Sequence, residues 1–364
     1  MSLATQLQRT HLAQLTPYAS ARRSMSGGAV WLNANEAPTT PSLTADQQQL
    51  NRYPSFQSER LNGAYADYAG VQTQQVLSCR GSDEAIDLLI RSFCEPGQDS
   101  IMITTPTYGM YAISAQTHGA GVIDVPLRKA QDASLQLDLE GMAKQLTASA
   151  NSVKLVFVCN PSNPVGNNLN LADVEQLLEL VGEQALVVLD EAYIEFAAAS
   201  GVQQLNTIAS WLSKYPQLVV LRTLSKAFGL AAIRCGFALA NTDVIDVLRK
   251  VIAPYPMPQP CLDIAERALT GAGISAMQQL VADTVALRDA FIKQIMAKPW
   301  ALKVWPSCTN FVLVSVPDAS ELVSQCSAAG VLIRNQSAQR GLDNTVRMSI
   351  GSADEMNQLL EVLP

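Results

Sequence analysis

Residues 223–229 read Thr223-Leu224-Ser225-Lys226-Ala227-Phe228-Gly229; they follow the apolar run Leu218–Leu221, and Arg234 lies eight residues past the lysine. The apolar run predicts a strand, so Lys226 would lie in the loop where that strand ends. A lysine there can form a Schiff base with a carbonyl cofactor. Ser225 could donate a hydroxyl hydrogen bond to a phosphate, and the planar guanidinium of Arg234 could pair with the same phosphate through two hydrogen bonds. Lys226 can equally be a solvated surface charge, and the other strand ends decide between the two.

Length and composition predict a globular protein with a large domain and a smaller one. The chain has 364 residues, which exceeds one average domain. Hydrophobic residues make up 48% of it and charged residues 16%, enough for a sizeable core. The net charge is −7, the pI is near 5.0, and no basic stripe is present, which argues against a nucleic-acid partner. A few arginines can still converge in a pocket for an anionic substrate.

The chain has little material for metal or histidine chemistry. Its seven cysteines are irregularly spaced without a C-x-x-C pair, which predicts reduced, mostly buried thiols. With only two histidines, a metal cluster or a Ser-His triad is not expected, so catalysis must use Lys, Asp, Tyr or Arg. Residues 1–15 do not form a secretory signal, and no apolar run is long enough to cross a bilayer. We therefore expect a cytoplasmic enzyme without a membrane partner.

The pattern of elements predicts three parts: an N-terminal arm over residues 1–28, a large domain over 29–253 and a small α+β domain over 254–364. In the large domain, short apolar runs alternate with helical patterns, which is typical of an α/β fold with a mainly parallel sheet between helices. Seven strands are predicted, at Val76–Ser78, Ser100–Ile103, Val122–Val125, Lys154–Cys159, Leu186–Leu189, Leu218–Leu221 and Gly236–Ala240. Helices are predicted at Ser82–Phe93, Tyr108–Gln116, Leu171–Val181 and Thr207–Lys214.

The Pro-rich residues 254–260 interrupt this alternation and predict a domain boundary or a substrate-side loop. A long helical pattern follows through Ala276–Met296. The remaining elements of the small domain are predicted at Val304–Trp305, Thr309–Val314, Ser320–Ala328, Val331–Arg334, Val346–Ile350 and a final helix from Ala353.

Ligands of open parallel sheets collect at the carboxyl ends of the strands, so the residues that follow each strand are informative. After the first strand, Gly81 permits close backbone approach, and Ser82 and Asp83 begin a helix whose N–H groups can bind a phosphate. The same two residues can simply cap that helix. After the second strand, Tyr108 can stack on a flat ring or pack as an ordinary aromatic at a helix start.

The next strand ends add an amide, an acid and a phenol. Asn163 lies in a turn with two Asn-Pro steps, which can point its amide into a cleft or be simple turn chemistry. Asp190 ends an apolar strand, where burial is costly without a cation or donor. A protonated pyridine nitrogen is one such partner, with Tyr193 close enough to reach the same ring, although aspartates also end strands as caps. The coincidence of all these groups with Lys226 favours a cofactor site.

The motifs stand in this order along the chain: Gly81-Ser82-Asp83, Pro106-Thr107-Tyr108, Asn160-Pro161-Ser162-Asn163-Pro164-Val165-Gly166, Asp190-Glu191-Ala192-Tyr193 and Ser225-Lys226-Ala227-Phe228-Gly229-Leu230 with Arg234. In this order they resemble the pyridoxal-phosphate (PLP) aminotransferases of fold type I, over essentially the whole chain. The histidinol-phosphate branch of that family is the most similar, on the stretches Leu15–Tyr18, Ser20–Arg23, Trp31–Glu36, Arg52–Pro54, Pro106–Tyr111, Val331–Gln336 and Val346–Gly351. Val165 and Ala231-Ala232-Ile233 depart from the family pattern, beside the functional positions.

The resemblance implies that Lys226 holds PLP covalently and, once released, moves the substrate α-proton. It further implies that Asp190 pairs with the pyridine nitrogen, that Asn163 and Tyr193 reach the ring oxygen, and that Tyr108 stacks on the ring. The residues expected to hold the cofactor phosphate are Ser82, Asp83, Ser225 and Arg234.

The resemblance also implies a second subunit and a substrate pair. Tyr53 would reach the phosphate of the neighbouring subunit's cofactor, in a homodimer with shared sites. Arg347 matches the arginine that binds the substrate carboxylate, and Tyr18, Asn35 and Arg334 are further substrate-side candidates. The implied reaction joins histidinol phosphate and imidazole acetol phosphate with glutamate and 2-oxoglutarate, in histidine biosynthesis. Histidinol phosphate has a phosphate but no carboxylate, whereas glutamate has two carboxylates. Arg334 and Arg347 would therefore have to accept the phosphate of one substrate and a carboxylate of the other in turn.

Two alternatives remain open. An aromatic amino-acid aminotransferase, or a decarboxylase of a phosphorylated amino acid, would share the fold, the lysine, the aspartate and the phosphate-binding residues, and would differ in the substrate pocket. A cofactor-sensing regulator with an aminotransferase-like domain would need a DNA-binding module, for which this acidic chain is expected to have no room.

Overall fold

A computed structural model describes residues 2–13, 15, 50–130, 134–149 and 152–364. The strands of this part, numbered along the chain, are β1 (Val76–Cys79), β2 (Ser100–Ile103), β3 (Gly121–Asp124), β4 (Arg128–Lys129), β5 (Leu135–Gln136), β6 (Val153–Cys159), β7 (Leu186–Asp190), β8 (Leu218–Thr223), β9 (Gly236–Ala240), β10 (Lys303–Val304), β11 (Phe311–Ser315), β12 (Arg334–Asn335) and β13 (Thr345–Ser349).

Its α-helices are α1 (Leu3–Leu7), α2 (Glu59–Ala69), α3 (Gly81–Phe93), α4 (Met110–His118), α5 (Leu139–Ala148), α6 (Leu171–Val181), α7 (Ile194–Ala199), α8 (Thr207–Ser210), α9 (Thr242–Val251), α10 (Gln259–Ala268), α11 (Gly271–Ile295), α12 (Ala319–Ala328) and α13 (Ala353–Val362). Short 3-10 turns lie at Thr10–Ala13, Thr73–Gln75, Trp211–Ser213 and Ala231–Ile233.

The large sheet has the strand order β1-β9-β8-β7-β6-β2-β3. Strands β3, β2, β6, β7 and β8 pair in parallel, whereas β9 is antiparallel to both of its neighbours. Every residue of β7, β8 and β9 is buried, which explains their continuous apolar sequences. The predicted mainly parallel seven-stranded sheet is therefore confirmed, and each strand bound lies within two residues of its prediction.

Helices cover both faces of this sheet. Helices α1, α3, α4 and α9 share one buried apolar cluster with the sheet, and α2, α5, α6 and α10 share another. Successive residues of β6 alternate between the two clusters: Phe157 packs in the first, and Val156 and Val158 in the second. Cys159, Asp190 and Thr223, at the carboxyl ends of β6, β7 and β8, line one cavity.

The small domain contains an antiparallel sheet with the order β10-β11-β13-β12. Its core also includes side chains from α12, α13 and the end of α11. Within α11, Met277 and Val281 belong to the core of the large domain, whereas Phe291 and Ile295 belong to that of the small domain. Helix α11 therefore contributes to both cores, and the domain boundary predicted at residue 254 stays a prediction. The strand predicted at Val331–Arg334 is displaced, because β12 begins only at Arg334.

The described start of the chain lies on its own large domain. Leu3 and Leu7 of α1 are buried in the same apolar cluster as α9, and the Arg9 N–H donates to the Ser92 carbonyl at 3.0 Å. The N-terminal arm predicted over residues 1–28 stays a prediction, because residues 16–28 are outside the described ones. All seven cysteines are described and unpaired, and all but Cys261 are buried, as predicted. None of the described helices is long and apolar enough to cross a membrane.

Candidate active site

A cavity of about 500 Å³ opens at the carboxyl edge of the large sheet. Eleven of the fourteen predicted site residues line it: Ser82, Asp83, Tyr108, Asn163, Asp190, Tyr193, Ser225, Lys226, Arg234, Arg334 and Arg347. The first nine come from the large domain and the two arginines from β12 and β13 of the small domain. Tyr53 is not among the lining residues, and Tyr18 and Asn35 lie outside the described residues.

The start of helix α3 forms one end of the cavity. The helix begins at Gly81, so Ser82 and Asp83 lie in its first turn and do not cap it. Arg80, at the N-cap position, makes no capping side-chain hydrogen bond in the described structure. The first N–H groups of a helix have no partner within the helix and carry a partial positive charge. This end of the cavity therefore has the chemistry of an anion site.

Arg234 reaches the same helix start. Its Nη2 donates to Asp83 Oδ2 at 3.1 Å, and Asp83 Oδ1 accepts from the Tyr108 hydroxyl at 2.9 Å. Gly81 has a φ of +76°, and a Cβ built on it would lie 2.8 Å from Arg234 Nη2. A Cβ on Gly236 would lie 2.5 Å from the Ser82 amide nitrogen. The two glycines thus allow backbone and guanidinium to approach closely enough to surround a phosphate.

Asp190 lies at the end of β7 and is almost fully buried. Its Oδ2 accepts from the Tyr111 hydroxyl at 2.7 Å, and its Oδ1 accepts from the Ala192 N–H at 3.2 Å. Burial raises the pKa of Asp190 to about 6, and the two hydrogen bonds act in the opposite direction. The carboxylate is thus partly desolvated and would be stabilised by a cation in the cavity. Tyr111 was not predicted as a site residue, since one phenol three residues past Tyr108 carries no separate signal in the sequence.

Lys226 extends into the cavity from the loop after β8. Its Nζ lies 5.7 Å from the centre of the Tyr193 ring. The side chain keeps contact with solvent through the open cavity, yet desolvation by the surrounding protein lowers the pKa of Lys226, and the positive charge of Arg347 adds to this. The preceding Ser225 is oriented by Thr223, whose Oγ1 donates to Ser225 Oγ at 2.9 Å and accepts the Ser225 N–H at 3.1 Å.

Two arginines face the cavity from the small domain. Arg334 and Arg347 are directly opposite each other in the β12–β13 pair. Arg347 Nη1 donates to Asn163 Oδ1 across the domains, and its guanidinium lies 5.2 Å from the centre of the Phe311 ring. Desolvation and the charge of Arg334 lower the pKa of Arg347. Two adjacent guanidinium groups of this kind form a second anion site.

A model of the aminotransferase class I and II family matches residues 27–363, nearly the whole chain. The chain belongs to this family. Two similar relatives are the histidinol-phosphate aminotransferase 2 of Idiomarina loihiensis, 54% identical over 100% of this chain and 99% of the relative, and the histidinol-phosphate aminotransferase of Escherichia coli, 45% identical over 99% and 97%. A solved structure of the histidinol-phosphate aminotransferase of Sinorhizobium meliloti, in complex with pyridoxal-5'-phosphate, superimposes with a TM-score of 0.74 at 27% identity, over 86% of this chain and 82% of that one.

Family membership confirms the predicted fold type I architecture, the aminotransferase activity and PLP as the cofactor. The geometry of this aminotransferase fits that cofactor. An uncapped helix start with Arg234 has the chemistry for its phosphate, and buried Asp190 has the chemistry for its ring nitrogen. Lys226 lines the same cavity and has the amine that the aldehyde needs.

Tyr53 is not one of the residues that line the cavity of this aminotransferase. Half of its side-chain surface is exposed, and its ring stacks on Tyr255 with centres 4.3 Å apart. Within one chain, Tyr53 is therefore not placed among the lining residues of the cavity.

A buried ion pair that the sequence did not predict lies at the ends of β7 and β8 of the aminotransferase. Arg222 on β8 is fully buried and donates to Glu191 Oε2 at 2.9 and 2.7 Å. Glu195 is buried beside this pair and accepts from the Tyr68 hydroxyl at 3.3 Å. Burial raises the pKa of Glu195 to about 7. Arg222 and Glu191 immediately precede or follow cavity residues, so the pair connects the ends of β7 and β8.

Proposed function

We propose that this aminotransferase exchanges an amino group between histidinol phosphate and 2-oxoglutarate, with PLP as cofactor. The observation that carries the proposal is the pair Arg334 and Arg347 at the cavity that also contains Lys226 and Asp190. Relatives with this named activity match the chain over its full length.

PLP, when bound, supplies a ring that withdraws electrons from the bonds of the substrate α-carbon. Asp190 would hold the proton on the ring nitrogen, because a buried carboxylate gains most from a cationic partner. Asn163 and Tyr193 line the same cavity and would contact the ring oxygen. Tyr108 would cover one face of the ring. Together these residues would fix the orientation of the ring relative to Lys226.

Lys226 would act as the base that moves the substrate α-proton. Its amine must be free and unprotonated for this, and desolvation favours the neutral form. The lowered pKa of Lys226 therefore increases the fraction of competent amine at neutral pH. This role needs no histidine, in agreement with a chain that has only two.

Arg334 and Arg347 would bind both substrates in turn. Histidinol phosphate presents a phosphate and glutamate a side-chain carboxylate, and a planar guanidinium pairs with either group through two hydrogen bonds. Arg347, fixed by Asn163 and by the Phe311 ring, would be the less mobile of the two. Tyr18 and Asn35 stay predictions, as further substrate contacts.

The anion site at the start of α3 would hold the cofactor phosphate. Ser82 and Asp83 would contribute backbone N–H groups, and Ser225 and Arg234 would contribute side chains. Tyr53 would complete this site in a neighbouring subunit, which accords with its exposure and with its absence from the residues that line the cavity of its own chain. We therefore also propose a homodimer with shared sites. A cytoplasmic location is part of the same proposal and agrees with seven unpaired cysteines.

One assay tests the proposed substrate. Purified protein with PLP is given 2-oxoglutarate and either histidinol phosphate or phenylalanine, and glutamate formation is measured. We expect kcat/KM to be much higher for histidinol phosphate, because phenylalanine has no phosphate for the arginine pair. A higher value for phenylalanine would instead identify an aromatic aminotransferase. Release of carbon dioxide from a phosphorylated amino acid, without glutamate formation, would identify a decarboxylase.

A further inference from the structure

The Asp190 carboxylate has a second partner that the proposed mechanism does not use. The Tyr111 hydroxyl lies 2.7 Å from Asp190 Oδ2, and both groups are buried. The Ala192 N–H occupies Oδ1. Both oxygens thus accept a hydrogen bond from the protein before any cofactor is considered, so the plane of the carboxylate is fixed.

The ring of Tyr111 is held equally firmly. It stacks on Phe157 of β6 with centres 4.9 Å apart and planes inclined by 16°. The edge of Tyr108 meets it at 5.6 Å and 82°. Phe157 lies on the strand next to β7, on which Asp190 stands. With no exposed surface, Tyr111 cannot turn its hydroxyl away from Asp190 without repacking this layer.

We propose that Tyr111 is a positioning residue, whose hydroxyl orients the Asp190 carboxylate to receive the protonated ring nitrogen of PLP. This inference rests on the proposed role of Asp190. Tyr108, proposed to cover the ring face, lies two residues before the start of α4, and Tyr111 lies in the first turn of that helix. A single short segment would therefore supply the residue that covers the ring face, Tyr108, and the residue that orients the partner of the ring nitrogen, Tyr111.

The charge balance of the pair supports donation from Tyr111 at every working pH. Burial, followed by the neighbouring Asp190 carboxylate, holds the pKa of Tyr111 well above its ordinary value, so the phenol stays protonated. Its hydrogen bond favours the ionised form of Asp190 and opposes the effect of burial. Without the hydroxyl, the pKa of Asp190 would rise further, and less carboxylate would be available near neutral pH.

The test is a binding titration of the full-length apo-protein with PLP, followed by absorbance from pH 5 to 9. Tyr111→Phe keeps the stacked ring and removes only the hydroxyl. Hydrogen bonds to charged groups are worth enough to predict a Kd for PLP about 10- to 100-fold higher. Because binding needs the ionised carboxylate, the acid limb of the profile should move to higher pH, by about one unit for each tenfold loss.

Tyr65→Phe is the matched control. Tyr65 is also fully buried and stacked, on Phe237 with centres 3.5 Å apart, but its hydroxyl has no hydrogen-bond partner among the described residues. We expect this variant to bind PLP as the wild type does, with an unchanged acid limb. Urea unfolding of both variants checks that each one folds.

Asp190→Asn separates this inference from the function on which it rests. In that background the carboxylate is absent, so Tyr111→Phe should add little to the loss of affinity. A Tyr111→Phe variant with wild-type Kd and acid limb, or equal losses with and without Asp190, would overturn the positioning role. If Asp190→Asn itself bound PLP as tightly as the wild type, the proposed role of Asp190 would be wrong instead.

Discussion

Lys226 is the residue on which the chemistry depends most directly, because no other described amine lines the cavity. We expect Lys226→Ala to lower kcat by about 100-fold or more, the usual contribution of a positioned acid–base group. The absorbance band of lysine-bound PLP should disappear with it. Lys214→Ala is the control, since Lys214 is exposed and does not line the cavity. Its Nζ pairs with Glu175 Oε1 at 2.7 Å. A Lys226→Ala enzyme that kept both activity and band would exclude the lysine as the cofactor anchor.

The paired arginines give a prediction that depends on which partner is removed. Arg347 is held by Asn163 and stacks on Phe311, whereas Arg334 is exposed. Arg347→Ala should raise KM for both histidinol phosphate and glutamate by about 10-fold or more, because a charge-assisted pair is lost with each anion. Arg334→Ala should have the smaller effect, because an exposed pair contributes less. Steady-state kinetics with each substrate varied in turn measure both, and unchanged KM values in Arg347→Ala would remove it from the binding site.

At the scale of elements, the start of α3 is the part most sensitive to shape. Gly81→Ala would put a Cβ 2.8 Å from Arg234 Nη2 at a φ of +76°. The left-handed backbone alone should cost roughly 1 kcal/mol of stability. The clash should also displace Arg234 and raise the Kd for PLP. Gly201→Ala is the control, because its φ is +71° but no atom lies within 4 Å of its Cβ. Equal PLP affinity in the two variants would contradict the proposed phosphate site.

The elements that sequence alone predicted well are those with strong local signals. The bounds of α6, Leu171–Val181, agree with the prediction, because the Asn170 side chain caps its start and Gly182 follows its end. The buried strands were equally clear as continuous apolar runs. Helix α10 was not predicted, because it begins among prolines. Pro260 is compatible with this helix because it lies in the first turn, where its missing N–H breaks no helical hydrogen bond. Strand β12 contains only two residues, too few for a period to fix its register.

At the scale of the whole molecule, the strand-end rule predicted which groups would meet, since parallel strands bring their carboxyl ends to one edge. It could not predict which buried side chains would form hydrogen bonds or ion pairs with the residues at those ends. Tyr111 and Asp190 are 79 positions apart, and Arg222 and Glu191 are 31 apart. No local pattern links such pairs. Likewise, the division of α11 between two cores depends on packing, which prolines at 254–260 do not report.

The buried acid behind the site gives the global stability a pH dependence. The pKa of Glu195 is about 7 in the folded protein and 4.5 when exposed, so the folded state binds more protons between these values. Stability should therefore fall as pH rises from about 4.5 to 7, by a few kcal/mol for this group alone. Glu195→Gln removes the titration, so its free energy of unfolding should change less across that range. Urea unfolding at pH 5 and pH 7 measures the difference.

The control for this prediction is Glu175→Gln. Glu175 accepts from Lys214 and Tyr215 near the surface, so its removal should leave the pH dependence between 5 and 7 almost as in the wild type. Asp190, whose pKa is also raised, contributes with the same sign and remains in both variants. If Glu195→Gln and wild type lost equal stability between pH 5 and 7, Glu195 would have to be ionised throughout, with its charge balanced by Arg222. Arg222 would then balance the charges of both Glu191 and Glu195 rather than that of Glu191 alone.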